Sequence, residues 1–215
     1  MLNVIKKSLL IICLCLINLL PSSPIQTESA RLQYDPSLLQ TGDIILRRGR
    51  SIRSHFVLMT DRQSSFSHAG LIQKTGDSLF VIHVLPTETS RKEDTIVQIE
   101  PLDIFLSPDR TSLAAVYRLR KDSNQYAPKA IEAALSYVEQ QIRFDGDFDL
   151  KTSDKLYCTE LIWCAYLNAG FDLIDGEFDK LLIPLGKGAY ILPSRLTKSR
   201  QLQLVCSLNP LTSKK

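Results

Sequence analysis

The stretch that decides the fold is KLYCTELIWCAYLNAG, residues Lys155–Gly170, which predicts a buried helix with a cysteine in its first turn. The segment is apolar on most faces, Ser153 or Asp154 can cap its start, and Gly170 can end it. A helix N-terminus carries partial positive charge and favours the thiolate form of a nearby cysteine. Cys158 is therefore a candidate nucleophile, although buried cysteines are also common as inert hydrophobic residues.

Composition bounds the class of protein and its partners. The chain has 215 residues, 44% of them hydrophobic, which fits one globular domain with a proper core. Its 26 basic and 23 acidic residues are intermixed, so no nucleic-acid partner is expected. One basic cluster stands out, Arg47, Arg48, Arg50 and Arg53. It is either a solvated edge after a strand or a patch for an anionic substrate or a lipid headgroup.

The first thirty residues form a separate segment. Lys6 and Lys7 precede an apolar run over 9–20, and a polar stretch follows, which is typical of a secretory signal peptide. We predict a signal peptide or an N-terminal membrane anchor over 1–30 and one catalytic domain over 31–215. The expected location is the periplasm or cell envelope, or the outward face of a membrane to which the N-terminal segment attaches the chain.

Three cysteines remain after this segment, Cys158, Cys164 and Cys206, an odd number for an oxidising compartment. One thiol must stay free or pair with another molecule. Cys158 and Cys164 lie six residues apart on one helix, too far apart to bridge comfortably. Either Cys164 bridges Cys206 or both are buried thiols.

Hydrophobic periodicity predicts an α+β fold. Strands are expected at 44–46, 68–73, 78–85, 95–99 and 113–119, with an edge strand at 202–206, and helices at 51–60, 101–106 and 125–142. The helix over 51–60 is expected to cover the sheet. The strands suggest an antiparallel sheet of about five strands packed against the central cysteine helix.

Two histidines lie on neighbouring predicted strands. His68 begins the strand over 68–73 and His83 lies in the strand over 78–85, and the glycine-containing turn at 74–77 predicts a hairpin. Antiparallel pairing can bring both side chains together on one face of the sheet. His55, on the predicted helix over 51–60, is taken as a surface residue.

Cys158, His68 and His83 together suit nucleophilic catalysis. The cysteine would attack an amide or ester carbonyl, His68 would act as base and then as acid, and His83 would orient His68. The backbone N–H of Cys158 can donate to the oxyanion. No ligand pair has the tight spacing of a zinc site, and the acidic run around Gly146 lacks the distal glutamate of a calcium loop. No metal and no cofactor are expected.

Four motifs in order resemble a known family. They are GDIILRR (Gly42–Arg48), FSHAGLI (Phe66–Ile72), LFVIHV (Leu79–Val84) and LYCTELIWCAY (Leu156–Tyr166). They are similar to the motifs of the circularly permuted papain-like cysteine amidases and peptidases of the YiiX/YaeF type, which are related to NlpC-type cell-wall peptidases. In that group the histidine strand precedes the cysteine helix, as it does here. The resemblance implies a permuted papain-like fold.

The resemblance also implies residue roles: Cys158 as nucleophile, His68 as base and the position of His83 as third polar residue. The group often has glutamate at this third position. It also often has an aromatic hydroxyl where this chain has Phe144. Tyr157 and Ser67 are the candidates for contact with the substrate or its oxyanion. Their structural alternatives are core packing for Tyr157 and a strand-end hydrogen bond for Ser67.

The function expected from the sequence is that of an exported cysteine hydrolase that cleaves amide bonds through a thioester. Its substrates would be cell-envelope peptides or acyl-amide lipids. Two alternatives use the same residues or the same cleft: a catalytically silent peptide- or lipid-binding module, and an acyltransferase with a lipid acceptor.

Overall fold

The computed structural model describes residues 32–86, 95–180 and 188–208, so the predicted N-terminal signal or anchor lies outside the described residues. The strands are β1 Ile44–Gly49, β2 His68–Thr75, β3 Ser78–His83, β4 Gln98–Pro101, β5 Thr111–Leu119, β6 Arg143–Phe144, β7 Lys155–Leu156 and β8 Leu202–Leu208. The helices are α1 Ile52–Thr60, α2 Leu102–Phe105, α3 Ser123–Glu139, α4 Cys158–Asn168 and α5 Pro193–Thr197. Among the helices of these ranges, none combines the length and apolar character needed to cross a bilayer.

Six of the strands form one antiparallel sheet in the order β4-β3-β2-β1-β5-β8. The hairpin predicted from the two histidine strands is present, with Leu71 opposite Ile82 and Thr75 opposite Ser78. The predicted edge strand is β8, which gives the sheet six strands where about five were expected. The α+β class and the mostly antiparallel sheet are therefore confirmed.

Hydrophobic side chains cover both faces of this sheet. Ile44 and Leu46 of β1 belong to the larger core, which α3 and α4 complete with Ala130, Ile131, Ala134, Leu161, Ile162, Ala165 and Tyr166. Ile45, between them, points to the smaller core on the other face, with Ile72, Val81, Leu102 and Phe105. This alternation explains why Ile44, Ile45 and Leu46 at the start of β1 are all apolar, since a central strand covered on both faces buries successive side chains in two cores.

The cysteine helix begins later than the sequence suggested. Neither Ser153 nor Asp154 caps it, because residues 155–156 form β7, which pairs in parallel with β6. Tyr157 is the N-cap residue and Cys158 is the first residue of α4. The carboxylate of Glu160 accepts the Tyr157 backbone N–H at 3.2 Å and so satisfies one donor of the helix start. The delayed start places the cysteine closer to the helix N-terminus than predicted.

Helix α1 occupies the predicted residues but does not cover the sheet. Its apolar residues Ile52, Phe56 and Met59 are 82%, 50% and 71% exposed. Its buried residue is Ser54, whose backbone N–H donates to the Ser51 hydroxyl at the helix start. The expectation that α1 packs on the sheet is wrong, because both sheet faces are already covered by other elements.

The turn before β1 is packed tightly against α3 and α4. Gly42 has φ +87°, and its carbonyl accepts the Tyr166 hydroxyl at 2.6 Å. A Cβ added there would collide with the Ala127 side chain and lie 2.9 Å from the Ala127 Cα. This position therefore requires glycine for both its backbone angle and its space.

We expect Gly42→Ala to lower the free energy of unfolding by about 3 kcal/mol, since it adds strain at positive φ and forces α3 outward. Gly76→Ala is the matched control, because Gly76 also has positive φ but a Cβ there meets no atom within 4 Å. It should lower the free energy by only about 1 kcal/mol. Urea unfolding measures both. Equal losses would show that α3 does not restrain this turn.

Candidate active site

The structure brings the two histidines together in the interior. His68 Nε2 lies 3.0 Å from His83 Nδ1, and both side chains are fully buried. Both rings also pack on Phe105, with centroid separations of 5.5 Å and 5.2 Å. The hairpin register and the aromatic ring of α2 therefore hold the imidazole pair in one geometry.

A carboxylate that the sequence analysis missed lies behind this pair. Glu100 Oε1 is 2.9 Å from His83 Nε2, and its other oxygen accepts Arg110 Nη1 at 2.8 Å. The contact of Oε1 with His83 is close but does not have the geometry of an aligned hydrogen bond. Burial opposes ionisation of Glu100, but its contacts with His83 and Arg110 lower its pKa to about 2.

These charges assign the proton positions. A bare nitrogen lone pair facing an ionised carboxylate would be repelled, so His83 Nε2 carries hydrogen and Nδ1 is an acceptor. His68 Nε2–H then donates to His83 Nδ1, which leaves His68 Nδ1 as a lone pair. That atom is buried without a hydrogen-bond partner. The Gln98 amide, 3.4 Å from His83 Nε2, can turn its oxygen toward the same N–H.

The Cys158 sulfur lies beside the residue that follows His68. Burial raises the pKa of the Cys158 thiol to about 11, while hydrogen bonds from the backbone N–H groups of Ala69, Thr159 and Cys158 itself favour the thiolate. The helix N-terminus favours the thiolate, but desolvation of the Cys158 sulfur outweighs that effect and these donors. The resting cysteine is a neutral thiol.

His68 is also neutral at rest. Burial, together with the positive charge of Arg47, lowers the pKa of His68 well below its ordinary value. Burial likewise lowers the pKa of His83, although Glu100 opposes the shift. A neutral thiol must lose its proton to a base during attack, because no preformed ion pair supplies the thiolate.

The sequence analysis grouped Arg47 with a basic cluster at the surface, but the structure buries its side chain. It is paired across the strands with His68 and is only 2% exposed. Its Nη1 donates to the Phe105 carbonyl at 2.5 Å, and its guanidinium lies 4.3 Å from the Phe105 ring centroid. Burial lowers the pKa of Arg47 to about 10, so it stays charged. Arg48 and Arg50, by contrast, are exposed as expected.

The two candidates for substrate contact differ in their partners. Ser67 accepts the Gly49 backbone N–H at 2.9 Å and so ties the end of β1 to the start of β2. Tyr157 accepts the Ile191 N–H at 2.9 Å and packs 5.3 Å from Phe148. Burial raises the pKa of Tyr157, so its phenol keeps a proton to donate. Both residues line the groove over Cys158, and their roles toward a substrate stay predictions.

An apolar groove of about 940 Å³ opens over Cys158. One part of its wall comes from α1 and the residues after β3, and another from the segment 144–151. The aromatic and aliphatic lining includes Phe56, Val57, Leu85, Phe144, Phe148, Leu150, Trp163, Phe178 and Tyr190. Such a lining suits the hydrocarbon part of a ligand better than a highly charged one.

The acidic run near β6 has a structural role. Asp145 is fully buried and accepts the backbone N–H groups of Asp147 at 2.9 Å and Asp149 at 2.6 Å. These bonds shape the loop that carries Phe148 into the groove. Within the described ranges, no group of three His, Cys, Asp or Glu side chains is placed to hold a metal ion. Of the imidazole nitrogens at the site, His68 Nε2 and His83 Nδ1 face each other and His83 Nε2 faces Glu100, whereas His68 Nδ1 has no hydrogen-bond partner.

The three described cysteines, Cys158, Cys164 and Cys206, are all free thiols. The alternative with a Cys164–Cys206 bridge is therefore not formed. Burial raises the pKa of Cys164 to about 12 and also raises that of Cys206, so neither is an activated thiol.

A thiol at a helix start beside a histidine strand, on an antiparallel sheet, defines the class of papain-like cysteine hydrolases. The sequence model of the permuted papain-like amidase enzymes, YaeF/YiiX, C92 family, matches residues 38–206. The chain belongs to this family, as its four motifs suggested.

The fold is similar to that of a solved structure. The metalloprotein YiiX from Escherichia coli O157:H7 is 22% identical and superposes with a TM-score of 0.64, over 80% of this chain and 98% of YiiX. At this identity the likeness shows the fold alone. A comparison with curated protein sequences found no significant match. YiiX is described as a metalloprotein. Among the described residues of this chain, no group of three His, Cys, Asp or Glu side chains could hold a metal ion.

Sequence reasoning missed Glu100 and the burial of Arg47. Glu100 is on β4, fifteen or more residues from either histidine, and no motif spacing marks it. The pairing of β3 with β4, which aligns Val81 with Glu100 and His83 with Gln98, brings it to the site. Alternation along that short strand would have been the available signal, since Glu100 and Gln98 share a face.

We expect alkylation of Cys158 by iodoacetamide to be slower at neutral pH than that of free cysteine. The rate should keep rising as the pH approaches 11, because the thiolate forms only there. Peptide mapping by mass spectrometry separates Cys158 from the other thiols. A rate that is already constant in the acid range would instead indicate a resting thiolate–imidazolium pair.

Proposed function

We propose that this chain hydrolyses the amide bond of N-acylated amines or peptides through a thioester on Cys158. Membership of an amidase family supports cysteine hydrolysis in general. The observation that carries the finer proposal is the buried, unpartnered lone pair of His68 Nδ1, next to the residue whose N–H reaches the cysteine sulfur. A buried acceptor without a donor needs an explanation, and a proton supplied by the nucleophile provides one.

The first half-reaction forms the thioester. His68 Nδ1 takes the Cys158 proton as the sulfur attacks the carbonyl carbon, and the carbonyl electron pair moves to oxygen. The Cys158 backbone N–H at the start of α4 is the proposed donor to the resulting oxyanion. Collapse of this intermediate breaks the C–N bond, and the amine leaves with the proton from His68.

The second half-reaction restores the enzyme. Water gives a proton to His68 Nδ1 and attacks the thioester carbonyl, and the acid departs as sulfur recovers the proton. During both half-reactions the positive charge on His68 is balanced through His83 by Glu100. In this network His83 and Glu100 together supply what the resemblance placed in a single glutamate.

The lining of the groove is the argument that the enzyme recognises an acyl chain of its substrate. Its lining near Cys158 is aromatic and aliphatic, whereas three of its four charged members, Asp147, Asp149 and Lys151, lie on one loop and the fourth, Arg53, lies on α1. A volume of about 940 Å³ accommodates a long hydrocarbon chain. Acyl-amide lipids and acylated peptides therefore fit the site better than unmodified hydrophilic wall peptides.

The test is hydrolysis of N-acyl amides that differ only in chain length, from butyryl to lauroyl. We expect kcat/KM to rise about fourfold per added methylene until the groove is filled, because each buried CH₂ contributes about 0.8 kcal/mol. Cys158→Ala should abolish hydrolysis. Intact-mass measurement during turnover should show the acyl adduct on the wild type and none on this variant.

A matched pair of variants assigns the chain-length effect to the groove. Leu150→Gln places a polar side chain in the groove wall and should flatten the chain-length dependence. Leu167→Gln makes the same change at an exposed position of α4 outside the groove and should leave the dependence intact. Hydrolysis that persists in Cys158→Ala, or a kcat/KM insensitive to chain length, would contradict the proposal. Transfer of the acyl group to an added lipid in place of water would identify an acyltransferase.

We also propose that the chain acts outside the cytoplasm. This rests on the sequence of residues 1–30, with two lysines before an apolar run, and not on the described structure.

We expect Glu100→Gln to lower kcat by roughly 10- to 100-fold, since the imidazolium loses its counter-charge and His83 loses its fixed proton position. The same loss should move the acid limb of the kcat/KM profile to lower pH, because a nearby negative charge raises a histidine pKa.

Arg110→Gln is the control of opposite sign. Arg110 lowers the pKa of both histidines, so its loss should move the acid limb to higher pH. Shifts in the same direction for both variants would show that Glu100 acts on stability and not on the charge of the histidines.

A further inference from the structure

Helix α1 carries a stripe of exposed apolar side chains. Ile52, Phe56 and Met59 follow the spacing i, i+4, i+7, which places them on one side of a helix. They account for three of the eight large hydrophobic residues that are exposed in the described part of the chain. A soluble protein rarely groups such residues on one short helix without a partner for them.

Basic residues surround this stripe. Arg48, Arg50 and Arg62 are exposed at the two ends of α1, and Arg53 follows the first residue of the stripe. The one acid between positions 48 and 62 is Asp61. Its carboxylate is buried and accepts the Ser194 backbone N–H at 2.7 Å, so it does not offset the arginines at the surface.

The stripe also continues into the groove. Ile52 and Phe56 belong to its lining, whereas Met59 and the exposed arginines lie outside it. A surface that covered α1 would therefore meet the opening through which Cys158 is reached. An apolar stripe within a basic rim, at the mouth of an apolar groove, matches a bilayer with anionic headgroups better than a protein surface.

We propose that α1 docks the protein on anionic phospholipid membranes, with the stripe among the acyl chains and the arginines at the headgroups. The helix is short, so it orients the groove toward the lipid rather than anchoring the chain. The docking would serve to deliver an acyl chain from the bilayer to Cys158, and this purpose rests on the proposed function. The docking itself does not.

The test uses the full chain with phosphatidylcholine vesicles that contain or lack phosphatidylglycerol. Hydrogen exchange of peptides covering 50–62 is the readout, because it localises contact to α1 even if the N-terminal segment attaches the chain to both vesicles. The docking variant is Arg50→Gln/Met59→Ser/Arg62→Gln, all outside the groove lining. The matched control, Arg120→Gln/Arg200→Gln/Leu204→Ser, removes the same charge and an exposed apolar residue elsewhere.

We expect protection of 50–62 on anionic but not on neutral vesicles, retained in the control. In the docking variant, exchange should return to within about twofold of the vesicle-free rate. Protection equal on both vesicles, or unchanged in the docking variant, overturns the inference. Concentration-dependent protection without vesicles also overturns it and indicates a second copy of the chain on the stripe.

Hydrolysis assays separate this inference from the proposed function. The docking variant should cleave a water-soluble butyryl amide like the wild type and lose cleavage of a lauroyl amide held in anionic vesicles. If the wild type cleaves neither amide, the proposed function fails, while the exchange measurement still decides the docking.

Discussion

The register of the β2–β3 hairpin is the constraint on which the rest of the site depends. With Leu71 opposite Ile82, His68 and His83 point to the same face, and their ring nitrogens meet at 3.0 Å. A slip of one residue would turn one imidazole to the other face of the sheet, because side chains alternate along a strand. The two cores oppose such a slip, since it would exchange Val81 and Ile82 between cores that are packed around their present side chains. Packing of the core and geometry of the site are thus one requirement.

Charge placement around the pair decides how the site can work. Burial lowers the pKa of the two histidines and raises that of Cys158, so these three side chains are uncharged at rest. Glu100 is the compensating anion, and Arg110 and Arg47 prevent it from making the histidines too basic. In the proposed mechanism, this arrangement would stabilise positive charge on His68 once it has taken the Cys158 proton. The orientation that a carboxylate would give directly is transmitted here through His83.

The groove and α1 provide the apolar surfaces next to this polar site. Two elements form apolar walls around the polar, buried site. They are the loop held by Asp145 and helix α1, which does not cover the sheet. In the proposed function an acyl chain would occupy these walls, with its carbonyl at Cys158. The exposed stripe of α1 continues this apolar surface toward solvent, and the proposed docking would bring the groove to a substrate held in a membrane.

The sequence by itself determined the α+β class, the hairpin, the cysteine helix and the family, because each depends on local periodicity or on short motifs in order. It also singled out Cys158, His68 and His83 as a set. The tertiary structure alone decided that Glu100 stands behind His83, that Arg47 is buried and that α1 faces solvent. These outcomes depend on which strands pair and which faces are already covered, and on desolvation, which acts on the folded chain only. For the same reason the helix-start cysteine is a neutral thiol, since its local position favours ionisation and its burial prevents it.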